Sequence, residues 1–431
     1  MTTNSPHSKL SVFSWCMYDF ANSSFTTLVV TFIYAAYFTK EMAADEITGT
    51  SLWSRALTVT ALVAAVLAPP LGALADRGGY RKLLLFLSTV VAVVASVLLY
   101  TAEPGQVVKA LFFFTLANIA FEMGTVFYNA FLPDIADPER IGRTSGFGWS
   151  LGYLGGLSAM ALAMVALVQP EEPWFGFSRE NGENFRAMTL LVAGWFAVFS
   201  LPIFFWVKED KSAVTRERGI LAASFRQLVG TFREVRRYEQ IVKFLLARLF
   251  YNDGLVTIFA FGGVYAVGTF GFSFEELMIF GIVINVAAGI GAFALGFLDD
   301  YVGSKRTIQI SLWGLILAAM AAVLTHERWV FWMASTLVGT CAGANQSASR
   351  SLLGRFVPPS KENEFYGLFA FSGKATAFLG PLLLGELTRI FSTQRVGMAV
   401  VVLFFVLGLS LLASVDEEAG ILMAGRGSAD G

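Results

Sequence analysis

The sequence predicts an all-α polytopic membrane protein, with twelve transmembrane helices in two similar six-helix halves. Two observations support this prediction. The chain is 55% hydrophobic and only 15% charged, whereas a soluble domain typically carries about 25% charged residues. A charged loop motif also occurs twice, about half a chain apart, each time between two long apolar segments. Parallel repeats within one membrane chain are typical of transporters whose site lies between the halves.

Twelve apolar segments of roughly 18 to 26 residues are each long enough to cross about 30 Å of hydrocarbon. They cover residues 12–38, 52–75, 83–101, 107–131, 144–168, 187–208, 241–268, 275–297, 307–325, 329–354, 364–388 and 396–415. The predicted domains are two six-helix halves, 1–207 and 241–431, and a linker at 208–240. The linker is strongly basic and contains a predicted amphipathic surface helix from Ile220 to Val235. A cytoplasmic linker explains this block better than a nucleic-acid site.

The distribution of basic residues predicts the orientation in the membrane. With the N-terminus inside, the cytoplasmic loops hold about 20 Lys and Arg and the outer loops about 8. We therefore expect both termini in the cytoplasm and a multi-pass protein of the cell (inner) membrane. The first apolar stretch is too long for the apolar core of a signal peptide, so no cleavable signal is expected. With two Cys and two His, no disulfide framework, metal site or cofactor is expected.

The repeated loop motif runs from Gly72 to Lys82 and again from Gly296 to Arg306. Gly, Leu, Asp, Gly and two consecutive basic residues fall in the same register. The motif resembles the signature loop between helices 2 and 3 of the major facilitator superfamily. This resemblance implies the major facilitator fold and a conformational lock in which Asp76 faces the N-terminus of helix 11 and Asp300 works against helix 5, closing the cytoplasmic side. The predicted lock residues are Gly72, Asp76, Arg77, Arg81, Asp300, Lys305 and Arg306.

Polar residues inside the apolar segments predict a central site. Ionisable groups in membrane helices are costly and usually face a cavity or a partner. Segment 4 places its polar residues on one helical face, and segments 1, 7 and 10 carry comparable sets. By resemblance, these four helices line the cavity of the superfamily. The predicted substrate or proton cavity comprises Asp19, Asn22, Asn118, Glu122, Asn129, Arg248, Asn252, Asp253, Asn345, Gln346, Arg350 and, on segment 11, Lys374.

Two interpretations of these polar residues stay open at this point. They contact the solute, or they form ion pairs between the halves; Asp19, for example, is a candidate partner of Arg248 or Arg350. A buried carboxylate can also carry a proton, with Glu122 as the first candidate and Asp19 as the second.

Five stretches resemble a narrower group within the superfamily. They are Trp15 to Ser23, Phe127 to Pro133, Gly148 to Gly156, Tyr251 to Gly254 and Gln346 to Ser351. The group is the unknown major facilitator family, which includes the yeast vacuolar amino-acid effluxers linked to autophagy. This chain lacks the long extra loops associated with the fungal members, so the resemblance favours a bacterial relative.

These features predict a secondary active transporter of a small organic solute, coupled to a proton or another ion. No Gly-x-x-x-x-Gly-Lys-[Ser/Thr] loop for ATP is present, and the supply of His and Cys is too poor for an enzyme. The mixed charges favour an amino acid as substrate, with a sugar, nucleoside or organic acid as the alternative. A non-transporting receptor or scaffold is the alternative class. The expected partners are the solute, the coupling ion and the lipid bilayer, with no nucleic acid, and we expect a monomer.

Overall fold

The computed structural model describes residues 8–209, 238–359 and 361–425. These residues form helices and connecting turns, with no β-strand among them. The prediction of an all-α fold is confirmed. The predicted amphipathic helix between Ile220 and Val235 lies outside the described residues.

Among the described residues, the first half contains six long helices and, after the fourth, the short helix Leu132–Ile135. Helix 1 begins as Lys9–Ser24 and continues through two π-helical segments, Phe25–Thr31 and Phe38–Met42, on either side of Ile33–Tyr37. The others are helix 2 (Glu46–Gly78), helix 3 (Arg81–Tyr100), helix 4 (Val107–Asn129), helix 5 (Ile141–Ala163, then the π-helical Met164–Val168) and helix 6 (Glu183–Trp206). Asp45 begins helix 2, because its side chain accepts a hydrogen bond from the Thr48 backbone N–H.

The second half contains the other six. They are helix 7 (Glu239–Phe270), helix 8 (Phe274–Val302), helix 9 (Ser304–Leu324), helix 10 (Arg328–Phe356), helix 11 in two pieces (Glu362–Ser372 and Leu379–Phe391) and helix 12 (Gln394–Ala413). A short helix, Glu417–Met423, follows. Two names are used for the ends of the bundle. The terminal face is the end that holds Ser8, Gly425 and the turns between helices 2 and 3 and between helices 8 and 9. The other end is the opposite face.

Nine helices in the described part of the chain are long and apolar enough to cross a membrane. The other three predicted segments, 1, 10 and 11, are also helical but do not meet both conditions. Helix 1 is interrupted by π-helical segments, helix 10 carries many polar residues, and helix 11 is broken. These exceptions fall on helices with predicted cavity residues, where a polar interior replaces a purely apolar one.

The two halves repeat one packing pattern. Helix 1 packs on helix 6 as helix 7 packs on helix 12, and helix 2 packs on helix 4 as helix 8 packs on helix 10. Helix 3 contacts helices 4 and 6 as helix 9 contacts helices 10 and 12. Buried aromatic pairs fill the interior, for example Trp15 stacked on Tyr128 at 4.6 Å. Large apolar side chains such as Val66, which is 70% exposed, lie on the outside, as expected of a surface that contacts lipid.

The repeated motif forms the same turn in both halves. Gly79 follows helix 2 with φ of 60°, and Gly303 follows helix 8 with φ of 93°. Residues with a side chain seldom adopt positive φ. The glycine therefore recurs in register because each motif needs a sharp reversal into the next helix.

Glycines also allow close packing where the halves meet, along helix 2 with helix 11 and along helix 5 with helix 8. A Cβ atom on Gly367 would lie 2.5 Å from the Ala68 carbonyl oxygen. A Cβ atom on Gly146 would lie 2.5 Å from the Ala292 carbonyl oxygen. Helix backbones can approach this closely only without side chains between them.

Two other glycines lie against side chains of a neighbouring helix. Gly152 faces Ser23 of helix 1, and Gly373 faces Arg248 of helix 7. Both contacts lie within one half.

Candidate functional site: polar contacts between the halves

The first lock contact joins helix 2 to the N-terminus of helix 11. The Asp76 carboxylate accepts hydrogen bonds from the backbone N–H groups of Asn363 at 3.0 Å and Glu364 at 2.8 Å. It also accepts one from the Asn363 side-chain amide at 2.6 Å. The first N–H groups of a helix lack partners within the helix and carry partial positive charge. A carboxylate therefore holds this helix end to the other half.

Arg81 extends this contact into a network of charges. Its guanidinium forms ion pairs with Asp134 and, at 3.2 Å, with Glu362, and lies 3.8 Å from Asp76. Arg77 is half-buried one residue after Asp76. Arg81 thus links three acidic groups from helices 2 and 11 and from the segment after helix 4.

The second lock contact joins helix 8 to the N-terminus of helix 5. The Asp300 carboxylate accepts from the backbone N–H of Gly142 at 2.8 Å and of Arg143 at 3.2 Å. The Arg143 side chain adds a hydrogen bond at 2.5 Å, and Arg355 of helix 10 lies 3.5 Å away. Asp76 and Asp300 therefore perform the same contact in the two halves.

Two predicted lock residues do not contact helix 5. The Lys305 ammonium donates to the Ala413 carbonyl at 3.2 Å, and Arg306 is exposed. The turn at Gly303 starts helix 9, which directs these side chains away from the seam, meaning the contact surface between helices 5 and 8. Arg143 and Arg355 supply the cations beside Asp300 instead.

Asp299 is a buried acid for which the sequence predicts no role. It is 0% exposed, accepts from the Ser304 and Ser351 hydroxyls and pairs with Arg355 at 3.3 Å. It ties helix 8 to helices 9 and 10 within the second half. The available signal was that Asp299 directly precedes Asp300, because two consecutive side chains on a helix point to different neighbours.

A side chain at Gly72 is expected to prevent closure of the terminal face. A Cβ atom there would lie 2.2 Å from the Asn363 carbonyl oxygen, across the seam between helices 2 and 11. A steric cost of about 3 kcal/mol in the closed state shifts the equilibrium roughly a hundredfold toward the open state. We expect Gly72→Val to expose a cysteine probe inside the terminal face to a maleimide reagent. The exposed Gly194, which has no heavy atom within 4 Å of its Cβ position, gives the control Gly194→Val; equal labelling in both variants contradicts the prediction.

A buried arginine joins helix 10 to three helices of the first half. Arg350, 3% exposed, pairs with Asp19 of helix 1 at 2.9 Å. It also donates to the Asn129 side-chain oxygen at 3.2 Å and to the Ser145 hydroxyl and carbonyl at 2.9 and 2.7 Å. Of the two predicted partners for Asp19, the structure therefore provides Arg350.

Aromatic rings enclose this arginine. Its guanidinium carbon lies 4.7 Å from the ring centroid of Trp15, 5.5 Å from Trp149 and 5.8 Å from Tyr128. Cation–π contacts add stabilisation to a cation removed from water. The ion pair and the rings together fasten the halves on the terminal side of the centre.

A second ion pair crosses between the halves. The Lys374 ammonium lies 2.7 Å from the Glu122 carboxylate of helix 4, and the two side chains are 25% and 20% exposed. Lys374 lies in the break of helix 11, at 373–378, a segment that the sequence analysis took as continuous helix. Gly373 and the Gly380–Pro381 pair were the available signals. Both members of this pair are more exposed than Arg350.

Three predicted cavity residues bond within the second half. Arg248 donates to the Phe369 carbonyl at 2.8 Å, and Asn252 to the Gly373 carbonyl at 2.9 Å. The Asn345 amide donates to the Ser311 hydroxyl of helix 9 at 2.9 Å. Asn345 was expected in the cavity, but the rotation of helix 10 directs it toward helix 9. Of the remaining predicted residues, Asn22, Asn118 and Asp253 are buried and Gln346 is half-buried.

No group of three His, Cys, Asp or Glu side chains suited to a metal ion occurs among residues 8–209, 238–359 and 361–425. A crevice of about 600 Å³ lies between helices 1, 5 and 8, lined mainly by apolar side chains such as Phe13, Phe147 and Phe293. None of the predicted cavity residues lines it. The polar contacts between the halves, rather than this crevice, form the candidate site.

The two similar helical halves of the described residues, joined by a carboxylate-to-helix contact that occurs twice, are typical of a transporter of the major facilitator superfamily. The model of the family described as "Vacuole effluxer Atg22 like" matches residues 39–425. The chain belongs to this family, and the resemblance found in its sequence is confirmed.

Individual relatives agree with this assignment. The chain is 28% identical over 410 residues to the uncharacterized MFS-type transporter YxiO of Bacillus subtilis, covering 94% of each chain. It is 21% identical over 448 residues to Autophagy-related protein 22-1 of Penicillium rubens, covering 84% of this chain and 74% of the relative. Its fold resembles that of the proton:xylose symporter XylE, with a TM-score of 0.74, 12% identity and coverage of 96% and 97%. The protein is a membrane transporter and not an enzyme.

Proposed function

We propose that this chain is a secondary active transporter that moves a small zwitterionic solute, best an amino acid, by alternating access with ion coupling. The observation that carries this proposal is the Glu122–Lys374 pair at 2.7 Å, which joins the halves and stays partly exposed. Glu122 offers an acceptor for an ammonium group, and Lys374 offers a donor for a carboxylate. A zwitterion that enters between them replaces one ion pair by two without changing the net charge.

The proposed orientation places the terminal face in the cytoplasm of the cell (inner) membrane. The excess of basic residues in the loops on that side supports it. In this state the seam between helices 2 and 11 and the seam between helices 5 and 8 are both closed at the terminal face. The outer piece of helix 11, Leu379–Phe391, packs instead on helices 7 and 12 of its own half. This packing supports a cavity that is open toward the opposite face, outside the cell.

The contacts suggest the order of events. The solute enters from the opposite face and bridges Glu122 and Lys374, so both halves contact it. The free energy gained when the halves close around the solute then offsets the free energy lost when the contacts of Asp76, Asp300 and the Arg350 cluster break. Their release opens the terminal face, as alternating access between two halves requires.

A thermal-shift screen of the purified protein tests the substrate class. Amino acids, sugars, nucleosides and organic acids are compared. A solute at a hundred times its Kd stabilises the folded protein by about 2.7 kcal/mol, so we expect an amino acid to raise the melting temperature. Stabilisation by a sugar, nucleoside or organic acid alone contradicts the zwitterion proposal. If no solute of these classes binds or crosses proteoliposome membranes, a receptor or scaffold is favoured.

Two variants test the proposed contacts with the stabilising amino acid. Glu122→Gln and Lys374→Gln are each expected to lower its affinity by roughly tenfold or more, since a charged hydrogen bond contributes about 1.5–3 kcal/mol. The matched control is Glu386→Gln, which removes an exposed ion pair with Arg389 at 2.7 Å in the same helix. Unchanged affinity in both test variants places the solute elsewhere.

A further inference from the structure

Asp253 of helix 7 is a carboxylate buried in the second half of the bundle. The residue is 0% exposed. Within the described part of the chain, neither of its carboxylate oxygens forms a hydrogen bond. The Thr376 hydroxyl lies beside it, in the break of helix 11, and is itself buried without a hydrogen bond.

The charged groups on the helices around Asp253 are all engaged with other partners. Arg248, on the same helix, donates to the Phe369 carbonyl and to the Ser372 hydroxyl at 3.0 Å. The remaining cations of helices 7, 10, 11 and 12, each with its contact, are Lys243 (Glu239), Arg328 (Glu276), Arg350 (Asp19), Arg355 (Asp299), Lys374 (Glu122), Arg389 (Glu386) and Arg395 (the Val323 carbonyl). The one other acid in the membrane part of helix 11, Glu386, is paired with Arg389.

The surroundings give an ionised carboxylate at this position no ion-pair partner among the described residues, and Arg248 acts on it only from a distance. The next residue, Gly254, packs directly on the Phe405 and Phe404 side chains of helix 12. An unpaired charge in such a place costs several kcal/mol, and an ionisable group within a membrane is expected to be neutral, paired or functional. With no cation in contact, the neutral acid is the form that fits this state.

We propose that Asp253 carries the coupling proton of the transporter, an assignment that rests on the ion-coupled transport proposed above. Glu122 and Asp19, the carriers suggested by the sequence, are each paired with a cation. A metal cation would need several converging oxygen ligands. The Thr257 hydroxyl is already bonded to the Asp253 carbonyl at 2.6 Å, which leaves the Thr376 hydroxyl as the neighbouring ligand.

The break of helix 11 connects this proton to the solute site. Within 373–378, the Gly373 carbonyl accepts from Asn252, Lys374 pairs with Glu122, and Thr376 lies beside Asp253. An O–H bond forms when a proton from the opposite-face solution reaches the carboxylate, and it breaks when the proton leaves at the terminal face. The resulting charge attracts Arg248 away from helix 11 and frees the segment that holds Lys374. Proton loss thereby changes the solute site.

Infrared spectroscopy of the full-length protein in lipid nanodiscs tests the assignment without any solute. We expect a band of a protonated carboxyl group at neutral pH that disappears in Asp253→Asn and persists in Glu122→Gln. Carboxyl-¹³C aspartate labelling of the wild-type protein should shift the same band, which tests the assignment even if the variant does not fold. A band unchanged by the aspartate label, or present in Asp253→Asn, overturns it.

A second measurement separates a proton from a metal cation and from the proposed solute. The melting temperature is compared in sodium and potassium chloride at equal ionic strength. We expect no difference; a stabilisation specific to sodium that is lost in Asp253→Asn overturns the proton assignment. Failure of the solute screen with a normal Asp253 band contradicts only the proposed function, whereas a solute response without the band contradicts only this inference.

Discussion

Alanine in place of Arg350 is expected to open the terminal face and to abolish transport. The substitution leaves the Asp19 carboxylate without its cation, the Asn129 oxygen without its donor, and the aromatic rings around an empty space. Removing one partner of a buried ion pair typically costs about 3–5 kcal/mol. This loss falls on the closed state, because Arg350 contacts the first half only when the halves meet. The equilibrium between the closed and open terminal face should therefore shift toward the open state by roughly a hundredfold to a few thousandfold.

A cysteine at Ser347 reports this change. Ser347 is 1% exposed on helix 10, and its hydroxyl has no hydrogen-bond partner among the described residues, so the replacement disturbs little. The native Cys16 and Cys341 are buried and free and are first replaced by alanine. We expect rapid maleimide labelling of Ser347→Cys with Arg350→Ala, and slow labelling without it.

The charge and the shape of Arg350 can be separated. Arg350→Lys keeps the charge but loses the fork that reaches Asp19 and Ser145 together, so an intermediate labelling rate is expected. The double variant Asp19→Leu, Arg350→Met removes both charges and should restore protection, since apolar replacements of a buried pair are often neutral or stabilising. Slow labelling of Arg350→Ala would show that this cluster does not hold the face closed.

The repeated motif allowed two contacts between the halves to be predicted, whereas their role as a conformational lock stays a prediction. Its register placed Asp76 and Asp300 at equivalent positions, and both now lie at helix N-termini of the other half. The resemblance to the superfamily supplied the partner helices. Spacing along one helix likewise indicated which faces of helices 1 and 4 were polar, because the helical period determines the face.

The partner of each polar side chain and the break within helix 11 were harder to predict from the sequence. Spacing does not specify how far a helix is rotated, so Asn345 could not be distinguished from the residues that face the centre; it faces helix 9. Segment 11 has the length of a single span, so its sequence predicts a continuous helix through the break around Lys374. The missing partner of Asp253 is a property of its surroundings, and only the packed helices define those.

Neutralising both lock aspartates is expected to populate the open terminal face almost completely. Asp76 accepts three hydrogen bonds at the start of helix 11, the shortest of 2.6 Å, and Asp300 accepts from two backbone N–H groups of helix 5. An asparagine lacks the charge, and its amide N–H₂ group would face backbone N–H donors from which it cannot accept a hydrogen bond. Charge at a partly buried helix N-terminus contributes up to about 2 kcal/mol, so each single variant should shift the equilibrium roughly thirtyfold.

The double variant Asp76→Asn, Asp300→Asn tests whether the two contacts act independently. They lie on different seams and share no partner, so their effects should add to about 4 kcal/mol, or roughly a thousandfold. The measurement is again maleimide labelling of Ser347→Cys, together with flux in proteoliposomes, which should fall in each single variant and nearly vanish in the double variant. The protein should remain folded, because the contacts removed lie between the halves.

The control uses the other end of helix 2. Asp45 caps that helix on the opposite face, where the Thr48 backbone N–H holds the pKa of its carboxyl group below the usual range. Asp45→Asn removes the same charge from the same helix without touching a seam, so labelling and flux should stay at wild-type levels. If Asp45→Asn opens the terminal face as much as Asp76→Asn does, the effect reflects helix 2 itself and not the contact with helix 11. If the double variant labels no faster than either single variant, the two aspartates control one event rather than two, and the closed state depends on the seams jointly.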